Sequence, residues 1–164
     1  MDARSNGDLA STERATTVER SGREVIVTRS FDAPAHVVFE AWSKPELFRR
    51  WWVPRSLGMT LTACEMDVRT GGRYRLGFEG MDFYGTYVEV TPPTRIVWTN
   101  EEGGTDGSVT TVTLTETDGT TLVVVSELYP SEEALEADGG GATDAMPETF
   151  RQLDDLLAEL TSTS

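Results

Sequence analysis

From Met59 to Leu128 the chain alternates apolar and polar residues at period two, broken only by turn-forming residues, and this pattern admits little but an antiparallel sheet. Met59–Val68 reads as a strand, and Gly71-Gly72 turns it. Arg73–Glu79 returns with Tyr74, Leu76 and Phe78 on one face. Gly80-Met81-Asp82 is the next turn, Phe83–Val90 the next strand, and Pro92-Pro93 its end. Arg95–Thr99 is short and leads into a glycine-rich loop at 101–108. Val109–Thr117 and Thr120–Leu128 flank Asp118-Gly119. A two-residue Asp-Gly loop between alternating strands is among the strongest hairpin signals in a sequence.

Two helical signals and one further strand flank this block. Glu24–Phe31 (EVIVTRSF) is β-branched and alternating. Asp32-Ala33-Pro34 ends it and offers a capping carboxylate and a proline suited to a first helical turn. Val38, Ala41 and Trp42 mark one short helix. Ser43-Lys44-Pro45 opens a second through Leu47, Phe48, Trp51 and Trp52, so an αα corner is expected. Pro130–Leu135 reads as a weak helical turn that Gly139-Gly140-Gly141 must break. From about residue 142 to Leu160, Met146, Phe150, Leu153, Leu157 and Leu160 recur at helical spacing, with Leu156 widening the stripe. Pro147 places the start of that helix near Asp144.

The expected fold is therefore α+β: a curved antiparallel sheet of about seven strands wrapped around a long C-terminal helix, with two short helices after the first strand. Residues 1–22 are expected as a flexible tail, 23–160 as the single domain and 161–164 as a C-terminal tail. A sheet closed by one helix leaves room for an interior cavity, expected between them.

The 164 residues include 28 acidic and 14 basic side chains, for a net charge of −14. The excess is lopsided: residues 1–82 carry 12 of each sign, and residues 83–164 carry 16 acidic residues against Arg95 and Arg151. Nucleic acid and anionic membrane are poor partners for such a surface. On the last helix, Glu148, Asp154, Asp155 and Glu159 fall off the apolar stripe and read as its solvent face. The neutral first half, with its tryptophans, is then the side expected to admit a ligand. Absence of an apolar leader leaves a cytoplasmic protein as the expectation. A monomer or homodimer is expected.

One cysteine, Cys64, and one histidine, His36, leave no metal cluster and no paired-histidine relay, and no cofactor is expected. His36 reads as a surface group and Cys64 as a small apolar one. Acid–base chemistry would fall to the strand carboxylates Glu65, Asp67, Glu79 and Glu89, which pattern with Arg69, Arg73 and Arg75 as solvent-facing pairs. Aromatic residues converge more tellingly. Trp51, Trp52, Met66, Tyr74, Phe78, Tyr87, Trp98, Phe150, Leu153 and Leu157 are the expected lining of a small-molecule cavity.

The runs REVIVTRSFDAPAHVVFEAW, SKPELFRRWWVP, CEMDVRTGGRYR and GTYVEVTPPTRIVWTNE together resemble the heat-shock-protein ATPase activator homologue (AHSA-type) family of the START-like, or SRPBCC, superfamily. The resemblance covers about residues 23–160 and implies the helix-grip fold. It implies a binding protein for a hydrophobic or amphipathic small molecule, more a carrier than an enzyme. Two other roles occur among relatives and are the alternatives here: a polyketide cyclase or dehydratase, for which this chain would use a cavity carboxylate such as Glu65 or Glu89 with Tyr87 or Tyr74 as polar partner, and a chaperone-associated stress-response interaction module. With 22 residues before the first strand, the stand-alone form is expected. Many relatives carry a Gly-Trp pair near the start of the last helix, where this chain has Pro147-Glu148-Thr149-Phe150.

Overall fold

The computed structural model describes residues 16–101, 107–138 and 141–162. Eight strands form one antiparallel sheet: β1 (Thr17–Ser21), β2 (Glu24–Phe31), β3 (Ala63–Met66), β4 (Arg73–Phe78), β5 (Met81–Thr91), β6 (Arg95–Thr99), β7 (Val109–Thr117) and β8 (Thr120–Leu128). Their order across the sheet is β1-β2-β8-β7-β6-β5-β4-β3. Helices α1 (Ala35–Ser43) and α2 (Pro45–Trp51) form the corner after β2. Helix α3 (Glu132–Asp138) is short, and α4 (Gly141–Ser162) is long.

The alternation translates directly into faces. Along β2 every second residue, Val25, Val27, Arg29 and Phe31, is buried. Thr121, Val123 and Val125 continue this inner face on β8, and Thr110, Val112 and Leu114 on β7. Asp118 and Gly119 both take positive φ, 54° and 82°, as the two-residue hairpin between β7 and β8 requires. The register slips between Tyr87 and Glu89, where β5 meets β6. Such an irregularity bends a strand.

Several boundaries differ from the sequence expectation; β5 starts at Met81, inside the expected turn, and α4 starts at Gly141, ahead of the expected Asp144. The sheet begins at Thr17, inside the stretch expected to be a tail, because β1 pairs with β2 from Thr17–Thr28 to Ser21–Glu24. All five β1 residues are exposed, so no alternating apolar signal marks the strand. β3 is only four residues long. Pro54 leads into a 3₁₀ turn (Arg55–Leu57) closed by Gly58 at φ 64°, and residues 58–60 lie exposed before the ladder with β4 begins. The last helix runs to Ser162, past the expected end at residue 160. The expected tail residues 1–15 and 163–164, most of the glycine-rich loop and Gly139-Gly140 lie outside the described residues.

Helix α1 is also capped differently. Pro34 occupies its N-cap, and the Ala35 N–H donates to the Glu116 carboxylate of β7 at 2.8 Å. Asp32 instead accepts from the Thr120 hydroxyl. Pro45 opens α2 in the first-turn position where a missing N–H costs nothing.

Helix α4 packs on β2 and on both short helices. Met146, Phe150, Leu153, Leu156 and Leu157 are all at most 3% exposed. Phe150 meets Phe31 edge-on at 5.3 Å and lies 6.3–6.4 Å from the rings of Trp51 and Trp42. The acidic side of α4 keeps its solvent exposure, Asp154 at 43% and Glu159 at 61%, and also reaches partners on the rest of the domain. The Asp154 carboxylate pairs with Arg29 at 3.3 Å, and Arg29 lies buried over the Phe31 ring. Glu159 takes both Arg50 contacts at 2.9 Å. Glu148 accepts from the Ser56 N–H and hydroxyl at 2.9 and 2.6 Å. Among these four residues only Asp155 has no such contact.

Gln152, buried one turn along, makes the matching neutral contacts. Its amide donates to the Trp51 and Val53 carbonyls at 3.0 and 2.8 Å, and its oxygen accepts from the Arg55 N–H at 2.9 Å. Replacing Gln152 with Ala strands three main-chain groups at the end of α2. A loss of about 2–4 kcal/mol is expected in urea unfolding, against less than about 0.5 kcal/mol for Asp155→Ala.

The two Ser56 hydrogen bonds hold the Glu148 carboxyl below its usual range, the side-chain bond most strongly. A carboxylate depressed in the folded state stabilises above its unfolded value, about 4.3, and loses that contribution as pH falls through the folded value. Thermal midpoints followed from pH 6 to pH 3 are expected to fall less steeply in Glu148→Gln than in the parent chain.

Candidate functional site

A small unfilled space lies between the helical corner and the β3–β6 half of the sheet. Trp42 and Phe48 form its roof, Met66 and Leu76 the β3 and β4 side, and Tyr74, Tyr87 and Trp98 the rest. Its volume is about 20 Å³. That is room for little more than one water molecule. Every lining residue falls between positions 42 and 98, and none comes from α4.

The wall is shaped by backbone as well as side chains. Gly85 pairs with Tyr74 across β4 and β5. A Cβ there would sit 1.8 Å from the Thr99 carbonyl oxygen at the end of β6 and 2.8 Å from the Tyr74 ring, so only glycine lets β5 approach both so closely. Tyr74, Tyr87 and Trp98 then pack against one another at 5.6–6.5 Å in tilted and edge-on pairs. These are favourable geometries for ring quadrupoles.

Two polar tips in that wall converge on one amide. The Tyr74 hydroxyl donates to Asn100 Oδ1 at 3.1 Å and to the Thr99 carbonyl at 2.9 Å, and Trp98 Nε1 donates to the same Oδ1 at 3.2 Å. The Asn100 amide in turn donates to the Ser108 and Thr110 hydroxyls at 2.9 and 3.0 Å, and Ser108 donates to Glu127 at 2.6 Å. Asn100 thus fixes two rings from behind the wall. Beside it, Glu101 accepts from the Thr99 and Thr86 hydroxyls, which hold its carboxyl below the ordinary range. Burial pushes the Tyr87 hydroxyl pKa up, and Cys64 and Asp67 act in the same direction, so the phenol stays protonated.

Of the residues expected to line a cavity, the structure brings Met66, Tyr74, Tyr87 and Trp98 to this space. Trp51, Phe150, Leu153 and Leu157 are packed solid in the core, each at most 2% exposed. They lie there because α4 settles over β2 and the short helices, and the cavity forms to one side of it. Trp52 stands half-buried beside the cavity, stacked on Phe48 at 4.8 Å. Phe78 is half-buried against Phe83 at 5.8 Å. Trp42, Phe48 and Leu76 line the space without having been anticipated. The apolar spacing of α1 and α2 marks Trp42 and Phe48 as inward-facing, but where the corner crosses the sheet is not a local property.

The remaining candidates lie away from the cavity. Glu65 and Asp67 pair with Arg75 and Arg69 at 2.8 Å, Glu89 pairs with Arg95 at 3.1 Å, and Glu79 is exposed. His36 is exposed at the start of α1. Cys64 is half-buried, its thiol 3.7 Å from the Pro45 carbonyl and 3.7 Å from Met66 Sδ, and burial raises its pKa against a smaller opposing effect of Arg49. Among the described residues there is no group of side chains suited to hold a metal ion and no helix long and apolar enough to cross a membrane.

No curated protein matches the chain. Solved structures do. A Rhodobacter sphaeroides protein is 25% identical and superposes with a TM-score of 0.77, over 88% of this chain and 99% of its own. A Mycobacterium smegmatis protein is also 25% identical, with a TM-score of 0.74 over 92% and 99% of the two chains. CalU16 from Micromonospora echinospora, 22% identical with a TM-score of 0.63 over 92% and 88%, shares the fold. The family described as "Activator of Hsp90 ATPase homolog 1-like protein" matches residues 32–158. With that match across most of its length, the chain belongs to the Activator of Hsp90 ATPase homolog 1-like family, on a START-like fold.

Proposed function

We propose that the chain binds a small hydrophobic or amphipathic molecule in the space between the helical corner and β3–β6. The single observation that carries this reading is an unfilled, aromatic-walled space against the hydrophobic core. At about 20 Å³ the space is a seed for a ligand and must widen to take one. The side that can yield is the β3 edge, where Cys64, Met66, Val68, Phe78, Phe83 and Trp52 are only half-buried against the core. Met66 is the unbranched member of that set, and its three side-chain torsions let it swing aside at little cost.

Two other readings fare worse. A cyclase or dehydratase needs a carboxylate facing the cavity, and Glu65, Asp67, Glu79 and Glu89 all face away from it. The titratable side chains in the wall are Tyr74 and Tyr87, and Tyr87 is held protonated. An interaction module would need a contiguous apolar surface. Among the described residues, the exposed large apolar ones are spread over β1 (Val18), the loop after α2 (Leu57, Met59), β5 (Tyr84, Val88) and β8 (Leu122, Leu128).

Trimming Met66 tests the binding reading. Met66→Ala opens the wall, and a one-ring hydrocarbon such as toluene is expected to bind it about tenfold tighter than the parent chain in calorimetric titration, a gain of about 1.4 kcal/mol. If neither protein takes up toluene, the space is a packing defect and the reading is wrong.

A further inference from the structure

We infer that the cavity selects a neutral ring compound carrying an oxygen acceptor, and that the Trp42 indole N–H is the group that holds that oxygen. The inference rests on the binding reading above and adds the chemical class of the ligand.

Trp42 is 2% exposed, and its Nε1 is buried with no hydrogen-bond partner among the described residues. Its buried neighbours are served by the protein: Trp51 Nε1 donates to the Ala41 carbonyl at 2.9 Å and Trp98 Nε1 to Asn100. An indole N–H can only donate, so Trp42 asks for an acceptor. Native interiors seldom leave such a donor unmet, because it carries its whole desolvation penalty. Trp42 is also a wall residue of the cavity, where a bound molecule can supply the missing oxygen.

A second polar group stands in the same wall. Tyr87 is 4% exposed and carries its hydroxyl there. It offers one donor and can also accept. Tyr74 and Trp98 are already committed to Asn100 and present only their rings. The wall therefore holds one unmet donor amid five aromatic side chains.

Charge narrows the class further. Among the described residues, no Lys, Arg, Asp or Glu lines the space. A carboxylate or ammonium ligand would lose its hydration with no opposite charge to replace it. That excludes ionised fatty acids and favours ketones, quinones, esters and phenols. The ring faces favour a flat ligand.

Three probes sharing one ring separate these terms: toluene with no acceptor, acetophenone with a neutral one, and benzoate with an anionic one. Acetophenone is expected to bind about tenfold tighter than toluene, and benzoate weaker than both. In ¹H–¹⁵N spectra of the full chain, the assigned Trp42 indole signal is expected to shift downfield with acetophenone and to stay with toluene. Trp42→Phe is expected to cut the acetophenone-over-toluene preference to about threefold or less. Equal affinity for toluene and acetophenone, or a stationary Trp42 signal at acetophenone saturation, would overturn the assignment while leaving the cavity reading intact. Loss of all binding, in the parent chain and in Met66→Ala alike, would instead sink the cavity reading and this inference with it. If Trp42→Phe does not fold, the parent-chain spectra and the three affinities decide the matter alone.

Discussion

Phe150 is the contact through which the three parts of this domain are held at one spacing. Its ring stands edge-on to Phe31 of the sheet and beside Trp42 and Trp51 of the two corner helices, and it is itself carried by α4. Burying a side chain of this size contributes about 2–3 kcal/mol, and aromatic pair geometry adds to it. Geometry matters more than the sum. With sheet, corner and long helix meeting at one ring, the distance from corner to sheet is set there. The unfilled space beyond it is then what the rings of the corner fail to cover.

The polar contacts make the same division. Gln152, Glu148 and Glu159 bind α4 to residues 50–56, and Asp154 reaches across to Arg29 of β2. Surface ion pairs such as Arg50–Glu159 contribute little each. The buried amide of Gln152 is different, because main-chain groups at the end of α2 depend on it. On the far side, Asn100 plays the equivalent part for Tyr74 and Trp98. Two amides, one on a helix and one at a strand end, therefore clamp the frame on one side and the aromatic wall on the other.

Much of the fold was legible because its signals are local. β2, β6, β7 and β8 fall where alternation and turn residues put them, and the α4 stripe is a property of one helix. β1 was not legible, since all its residues face solvent and only pairing with β2 defines it. β3 was overread because Thr and Met continue the alternation through a stretch that the 3₁₀ turn and Gly58 keep out of the ladder. The acidic residues of α4 do face solvent, but their partners were not legible: falling off an apolar stripe says only that a residue avoids the core, and Arg29, Arg50 and Ser56 lie beside it. In the site, Tyr74, Tyr87 and Trp98 were recognisable as inward strand positions. Trp42 and Phe48 required knowing where the corner crosses the sheet, and Phe150, Leu153 and Leu157 required knowing that α4 lies to one side of the space.

The tryptophan cluster has a spectroscopic corollary. All four tryptophans of the chain, Trp42, Trp51, Trp52 and Trp98, are linked by ring separations of 4.8–6.5 Å. At such spacing excitation passes readily from one indole to the next. The four indoles therefore form one continuous cluster that runs from the core at Trp51 through the cavity roof at Trp42 to the sheet wall at Trp98, so a change at the cavity is expected to register in the emission of the whole set.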